Sequence, residues 1–419
     1  MSQLKYWVWL ASLDRLRPRT RVELIEQFGS PDKVFFANEH ELGPLEISPE
    51  ERAALKDKKL EKTMKILERC QGEGVTIITL GDAAYPVRLR NIYDPPCVLY
   101  VKGRLPVIDE EVALAVVGTR KATPYGIKMG RRMGYELTRS GALVVSGLAE
   151  GVDTAGAEGA LRAGGSVIGV LGTAIDEIYP RKNAPLFQDV AAVGAIVSEY
   201  APGAVTDRRS FPARNRIISG LSVGVVIIES PKKSGSLITA SHALEQGREV
   251  FVVPGNVDSA NCVGSNELLR DCAKAVASGW DVLCEFMGLF PDRIKKLDER
   301  GRVIPQEEEA EVDATASEGI GSETGEDFAM LRVPLTKKEV DNKKSVEYID
   351  VEKVLEGLSE QALKIVAAID KPLTHIDDII ERTELPASEV LAELTMLEID
   401  GIVTQEKGKR FSLNISGRA

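Results

Sequence analysis

The segment ALAVVGTRKATPYGIKMGRRMGYELTRSGALVVSG, residues 113 to 147, decides how the chain folds. ALAVVG (113 to 118) and ALVVSG (142 to 147) are apolar runs of the kind that forms strands covered on both faces. Between them, YGIKMGRRMGYELTRS has helical spacing and helix-forming residues. Strand, helix and strand in that order make a βαβ unit, and the pattern continues outward. VIGVLG (167 to 172), AIVSEY (195 to 200), VGVVIIES (223 to 230) and EVFVVPG (249 to 255) read as further strands, with helical intervals such as TAGAEGALRAG. The fold class predicted is α/β: an extended Rossmann-like, doubly wound, mostly parallel sheet.

Several of these strands end in glycine or in a glycine-containing turn: Gly118, Gly147 with Gly151, Gly172, Gly235 and Gly255. Ligands of open α/β sheets sit outside the carboxyl ends of the strands, where helix N-termini offer backbone donors to anions. A phosphorylated ligand is expected. It is not a dinucleotide, because GxGxxG is missing after the first strand and Arg120 and Lys121 stand where glycines belong; Asp153 lies beyond a loop rather than at a strand end. Cationic residues recur at the same loops: Arg120 and Lys121, Arg181 and Lys182, Arg208 and Arg209, Arg214 and Arg216, Lys232 and Lys233. Strand ends converge in a parallel sheet, so these residues are expected to form one basic groove. Phe211 and Asn215 sit among them, and an aromatic face beside guanidiniums suits an unstacked base. The alternative is that Arg214 and Arg216 pair with buried carboxylates such as Glu199 or Glu229.

The formal net charge is -11, but it is unevenly placed: residues 110 to 290 carry 18 Lys+Arg against 19 Asp+Glu, whereas residues 298 to 349 carry 7 against 14 and residues 350 to 419 carry 8 against 14. The acidity therefore says little about whether the middle of the chain binds a polyanion. No apolar run reaches membrane-spanning length and the start MSQLKYWVWLASLDR lacks the features of a signal peptide, so a cytoplasmic protein with no membrane partner is expected. Five cysteines without CxxC spacing and three histidines argue against a disulfide framework and against a metal site. No cofactor is expected.

Four parts follow. Residues 1 to 75 read as a helical domain, SAM-like or a degenerate helix-hairpin-helix, whose hairpin shows Leu16, Arg17 and Pro18 in place of Gly-x-Gly. Its Arg15, Arg17, Arg19 and Arg21 could reach DNA or form a solvated face. Residues 76 to 290 form the core. Residues 291 to 349, polar and acidic, read as a flexible linker. Residues 350 to 419 read as a winged-helix domain whose third helix carries Glu389, Glu393, Glu398 and Asp400 and no Lys or Arg, which is unsuited to duplex DNA.

VVGTRKATPYG, SGLAEGVD, VLGTAIDEIYPRKN, IVSEYAPG, FPARNRIISGLS, KKSGSLITASHALEQGREVFVVPG and GSNELLRDCA, in that order, resemble the motif series of the DprA/Smf family. The resemblance implies an extended Rossmann fold that binds single-stranded DNA, forms homodimers and loads the RecA recombinase onto incoming strands during natural transformation, with no catalytic step. It assigns Gly118, Thr119 and Arg120 to a phosphate cradle, Arg208 and Phe211 to a backbone and a base, and Lys232, Lys233, Ser234, Gly235 and Ser236 to a second phosphate loop. Arg181 and Lys182 are candidates of the same kind. Ala157, Ala174 and Cys272 depart from the family's usual residues, and Ala174 would be strained if its position required positive φ. A competing reading is a nucleotide N-glycosidic hydrolase of the related Rossmann-like class, for which SGSLITA would be the phosphate loop and Glu245 the nearest following carboxylate. A transcription factor acting through the winged helix is disfavoured by that helix's charge.

Overall fold

The computed structural model describes residues 3–42 and 47–296 and, beyond them, 360–369, 374–383 and shorter stretches to residue 413. Most of the expected acidic linker, together with Glu398 and Asp400, lies outside the described residues.

The N-terminal part contains α1 (Leu4–Ala11), α2 (Pro18–Phe28), α3 (Pro31–Phe36), α4 (Glu39–Leu42), α5 (Pro49–Leu55) and α6 (Glu61–Gly72). The sheet that follows is built from β1 (Thr76–Thr79), β2 (Val98–Gly103), β3 (Ala113–Val117), β4 (Leu143–Ser146), β5 (Val167–Leu171), β6 (Ala195–Ser198), β7 (Gly224–Ile227), β8 (Glu249–Val252) and β9 (Lys274–Ala275). The helices between and after these strands are α7 (Val87–Arg90), α8 (Pro124–Arg139), α9 (Val152–Arg162), α10 (Ala184–Val193), α11 (Ser210–Leu221), α12 (Gly235–Glu245), α13 (Val263–Asp271) and α14 (Gly279–Leu283). Spatial order across the sheet is β1-β2-β6-β5-β4-β3-β7-β8-β9. The seven strands β6-β5-β4-β3-β7-β8-β9 are mutually parallel, whereas the β1–β2 and β2–β6 pairs at the other edge are antiparallel.

Alternation along the central strands explains why two helical layers form. Leu114, Val116 and Val144 pack with Met129, Met133 and Val152 of α8 and α9, whereas Ala113, Ala115, Val117 and Val145 pack with Ile217, Ile218 and Ala240 of α11 and α12. Each residue of the run thus meets a hydrophobic layer, as a strand buried on both faces requires. The chain winds from β3 toward β6 over one face and returns to β7 over the other, which places the topological switch point between β3 and β7. Val8, Ile66 and Cys70 of the N-terminal helices, with Val75 just before β1, join the core of the first face.

The helical part is tied together by Glu51, 2% exposed, which accepts bonds from Arg17 Nε (2.9 Å), Thr20 Oγ1 (2.7 Å) and the backbone amides of Arg17 (3.2 Å) and Ser48 (3.0 Å). The hairpin between α1 and α2 therefore already holds a carboxylate of its own chain. Arg19 pairs with Glu23 at 2.9 Å, and Arg21 is buried. Three of the four arginines expected to face DNA or solvent are thus engaged within the protein.

The second unit contains α15 (Glu360–Ala368), α16 (Ile376–Thr383) and a sheet of β10 (Thr374–His375), β11 (Val403–Glu406) and β12 (Arg410–Leu413) in the order β10-β12-β11. Glu389, Val390, Glu393, Leu394 and Leu397 are helical, and the three apolar ones join its core. Helices followed by a two-stranded wing are the winged-helix arrangement.

Hydrogen bonds hold the Glu51 carboxyl well below the ordinary value of 4.5 in the folded state. Its stabilisation is fully present above that ordinary value and is lost as pH falls through the depressed folded one. Glu51→Ala is expected to cost about 2–3 kcal/mol at neutral pH, the range of hydrogen bonds to a charged group. The difference from wild type should shrink below about pH 4, as read by denaturant unfolding at several pH values.

Candidate nucleic-acid interface

Three strand ends and two helix starts converge at the switch point. β3 leads into Gly118, Thr119 and Arg120, a turn fixed by the Thr119 amide donating to the Glu229 carbonyl (2.8 Å) and by the Val152 amide donating to the Thr119 carbonyl (3.3 Å). Thr119 Oγ1 accepts from the Lys121 amide (3.2 Å), so its hydroxyl braces the turn. Gly151, at φ +81°, passes so close behind that a Cβ there would lie 2.3 Å from the Thr119 carbonyl oxygen.

After β7, the Ser234 hydroxyl caps α12, accepting from the Ser236 amide (3.3 Å). Ser234 and Ser236 share a hydroxyl contact of 2.7 Å, and Ser236 and Ser230 one of 2.8 Å. Asn215 crosses from α11 to donate to the Gly235 carbonyl at 3.0 Å, fastening the two helices at their groove ends.

Phe211 opens α11. Its backbone is held by Ser210, whose hydroxyl donates to the carbonyls of Gly172 and Asp207. A Cβ on Gly172 would come within 2.8 Å of the Phe211 ring, so only glycine lets the ring sit against the end of β5. The Arg120 guanidinium carbon lies 5.3 Å from the Phe211 centroid, and the Tyr179 ring packs at 5.3 Å and 55°. Tyr179 is half-exposed.

Together these elements line a groove of about 580 Å³, into which face Gly118, Thr119, Arg120, Arg208, Phe211, Arg214, Asn215, Lys233, Ser234, Gly235 and Ser236. Arg120, Arg208 and Lys233 are exposed and, among the described residues, have no carboxylate within ion-pair distance. Asp153 is the one acidic residue of the lining.

The other expected cations are placed differently. Arg216 is a correction: its side chain is 4% exposed and grips Glu199 (2.9 Å) and Asp94 (3.0 Å) behind the groove. Glu199 is one of the two carboxylates named as alternative partners; the other, Glu229, is taken by the Thr123 amide at 2.9 Å and the Thr123 hydroxyl. Arg214 lines the groove from below. Only 5% exposed, it donates to the carbonyls of Gly147 (3.0 Å) and Val170, and so clamps the ends of β4 and β5. Lys182 pairs with Glu150 (3.0 Å) and Lys232 with Glu267 (3.2 Å), both in solvent, where such pairs are weak. Lys121 and Arg181 are exposed outside the lining. Tyr179 was absent from the sequence reading; the available signal was an aromatic-proline pair just past the carboxyl end of β5.

Burial drives the electrostatics beneath. Desolvation pushes the Asp153 carboxyl up to about 6, against the pull of Arg214 and of the Gly118, Ala149 and Gly147 amides, and lowers the Arg214 guanidinium to about 10. Ala174 carries no positive φ; among described non-glycine residues only Leu148 does, at 50° beside the groove. Ala157 is fully buried in α9 and Cys272 ends α13 at the surface. Glu245 ends α12, ten residues or roughly 15 Å along the helix from its groove end, and contacts Ser241 and His242 instead.

A doubly wound α/β protein with a cationic, aromatic groove at its switch point and a winged-helix unit is the class these features define. Residues 76–287 match the family model described as DNA recombination-mediator protein A, and residues 352–409 that of the DprA winged helix domain. Protein Smf of Synechocystis is 33% identical over 98% of both chains, and DNA processing protein DprA of Bacillus subtilis is 40% identical over 54% of this chain and 75% of its own. The X-ray structure of DprA from Streptococcus pneumoniae covers 67% of this chain and 97% of its own at 32% identity, with a TM-score of 0.60. The chain belongs to the DprA/Smf family of DNA-processing proteins.

Two outcomes test the site's construction. Gly172→Ala should displace Phe211 with little loss of global stability, seen as a changed ring-proton shift in NMR spectra. The Asp153 carboxyl should titrate near 6 by carboxyl-carbon NMR. Because its folded value is raised above the ordinary 3.8, ionised Asp153 weakens the fold above about pH 6, and that penalty is relieved as pH falls toward 3.8.

Proposed function

We propose that the switch-point groove binds single-stranded DNA, with phosphates against the Gly118–Arg120 turn and the start of α12, and an unstacked base against Phe211. The observation that carries this reading is the Arg120–Phe211–Tyr179 stack at the mouth of a groove holding the exposed Arg208 and Lys233. Aromatic faces beside cations accept any base, whereas duplex readout wants a helix or ribbon reaching base edges. Ser234, Gly235 and Ser236 at the start of an eleven-residue helix add backbone donors of the kind that take phosphate.

The same reading extends to the family's role: a non-catalytic cytoplasmic protein that holds incoming strands as a homodimer and passes them to the RecA recombinase in natural transformation. The division into domains at residues 75, 290 and 349 belongs to it as well. The carboxylate named for the N-glycosidic reading, Glu245, sits at the far end of α12, away from the groove, which weakens that alternative.

Salt titration with an oligothymidylate and the matching duplex tests the groove. Single-strand affinity should fall with salt by about 0.7 in log–log slope for each phosphate neutralised, and Arg120→Ala should make the slope shallower by about that amount. Phe211→Ala and Tyr179→Ala should each cost about 1–3 kcal/mol without changing the slope. Affinity should rise as pH drops through about 6, where Asp153 loses its charge. Equal affinity for duplex, insensitive to Phe211→Ala, would overturn the reading.

A further inference from the structure

The arginine-rich start of α2 is not used by the groove, yet it reaches a buried charge cluster behind it. Arg216, on the same helix as Phe211, holds Glu199 through two bonds of 3.0 and 2.9 Å and Asp94 through Nε at 3.0 Å. Glu199 follows β6, and Asp94 lies between α7 and β2.

α2 reaches both segments. Arg21 places a guanidinium nitrogen 3.9 Å from Glu199 while another donates to the Leu13 carbonyl at 3.0 Å. Arg19 donates to the Tyr93 carbonyl at 3.1 Å and stacks 5.0 Å from the centroid of that ring, one residue before Asp94. The Arg21 and Glu199 side chains are 10% and 9% exposed, so solvent screens this contact little. On the far side, Gln246 donates to the Arg216 carbonyl at 3.0 Å. Five residues separate Arg216 from Phe211, roughly 7.5 Å of helix.

We propose that Arg19 and Arg21 are positioning residues: through Asp94, Glu199 and Arg216 the helical domain fixes the placement of α11, and so of Phe211, without touching the strand. This rests on the groove reading given above. A binding constellation has to be held to within about 0.5 Å by the residues behind it, and the Arg216 cluster, one to two turns along α11 from Phe211, adds an anchor to those at Ser210, Arg214 and Asn215. The arrangement also gives the RLRPRTR run a use that differs from DNA contact.

The experiment compares full-length wild type, Arg21→Met, Arg19→Ala and Arg120→Ala for oligothymidylate affinity across a salt series, with thermal unfolding of each. Arg21→Met leaves Glu199 paired with Arg216, and Arg19 is a third exposed, so both variants are expected to fold, which the unfolding curves check. Arg21→Met and Arg19→Ala should bind about five-fold more weakly, the lower end of site-to-site coupling, with the wild-type salt slope. Arg120→Ala should lower the slope by about 0.7. Wild-type affinity in both α2 variants, after correction for the folded fraction, overturns the inference and leaves the groove reading intact. A shallower slope in either variant makes that arginine a phosphate contact and also overturns it. Wild type that ignores the strand overturns the groove reading and the inference together.

Discussion

A buried guanidinium sets the geometry at the carboxyl end of this sheet. Arg214 spends its donors on the carbonyls ending β4 and β5 and on the neighbouring Asn215, and its charge is balanced across the groove floor by Asp153. An arginine desolvated to this degree is tolerated only when its hydrogen-bonding capacity is filled and an opposite charge is near. Once it is in place, α11 cannot slide along the sheet. Phe211, one turn earlier, is thereby aimed at the end of β5, and Asn215, the next residue, at the start of α12.

The charge pattern of FPARNRIISGLS accordingly divides by depth. Arg214 lies under the ligand surface, Arg216 faces away toward Glu199 and Asp94, and the exposed positive groups come from other loops at Arg120, Arg208 and Lys233. The groove is cationic because its walls carry exposed cationic side chains, which among the described residues have no carboxylate in ion-pair distance, and its floor a compensated pair. The chain as a whole remains anionic, since its excess of carboxylates belongs to the last third of the sequence.

The six central strands were legible because most are continuous apolar runs, which a doubly covered sheet accommodates. β1 and β2 were not: TIIT is four residues long, and the antiparallel pairing depends on a tertiary edge at β6. Composition identifies arginines but not their depth, so Arg120 and Arg216 looked alike in sequence while one stacks on an aromatic ring and the other is locked between two carboxylates. Tyr179 went unnoticed for a related reason: its packing against Phe211 joins the end of β5 to the start of α11 across some thirty residues, and no local pattern announces such a contact. The hairpin of the helical part was recognisable as lacking its glycines, but that its amide is occupied by Glu51 is a property of the folded chain.

The serines at the start of α12 have a further consequence. Both links between Ser230, Ser236 and Ser234 run from hydroxyl to hydroxyl, and in each link either oxygen can be the donor. Rotating three C–O bonds reverses the polarity of the row while every heavy atom stays where it is. The row can thus present a proton at its Ser234 end or withdraw it with no part of the backbone having to yield.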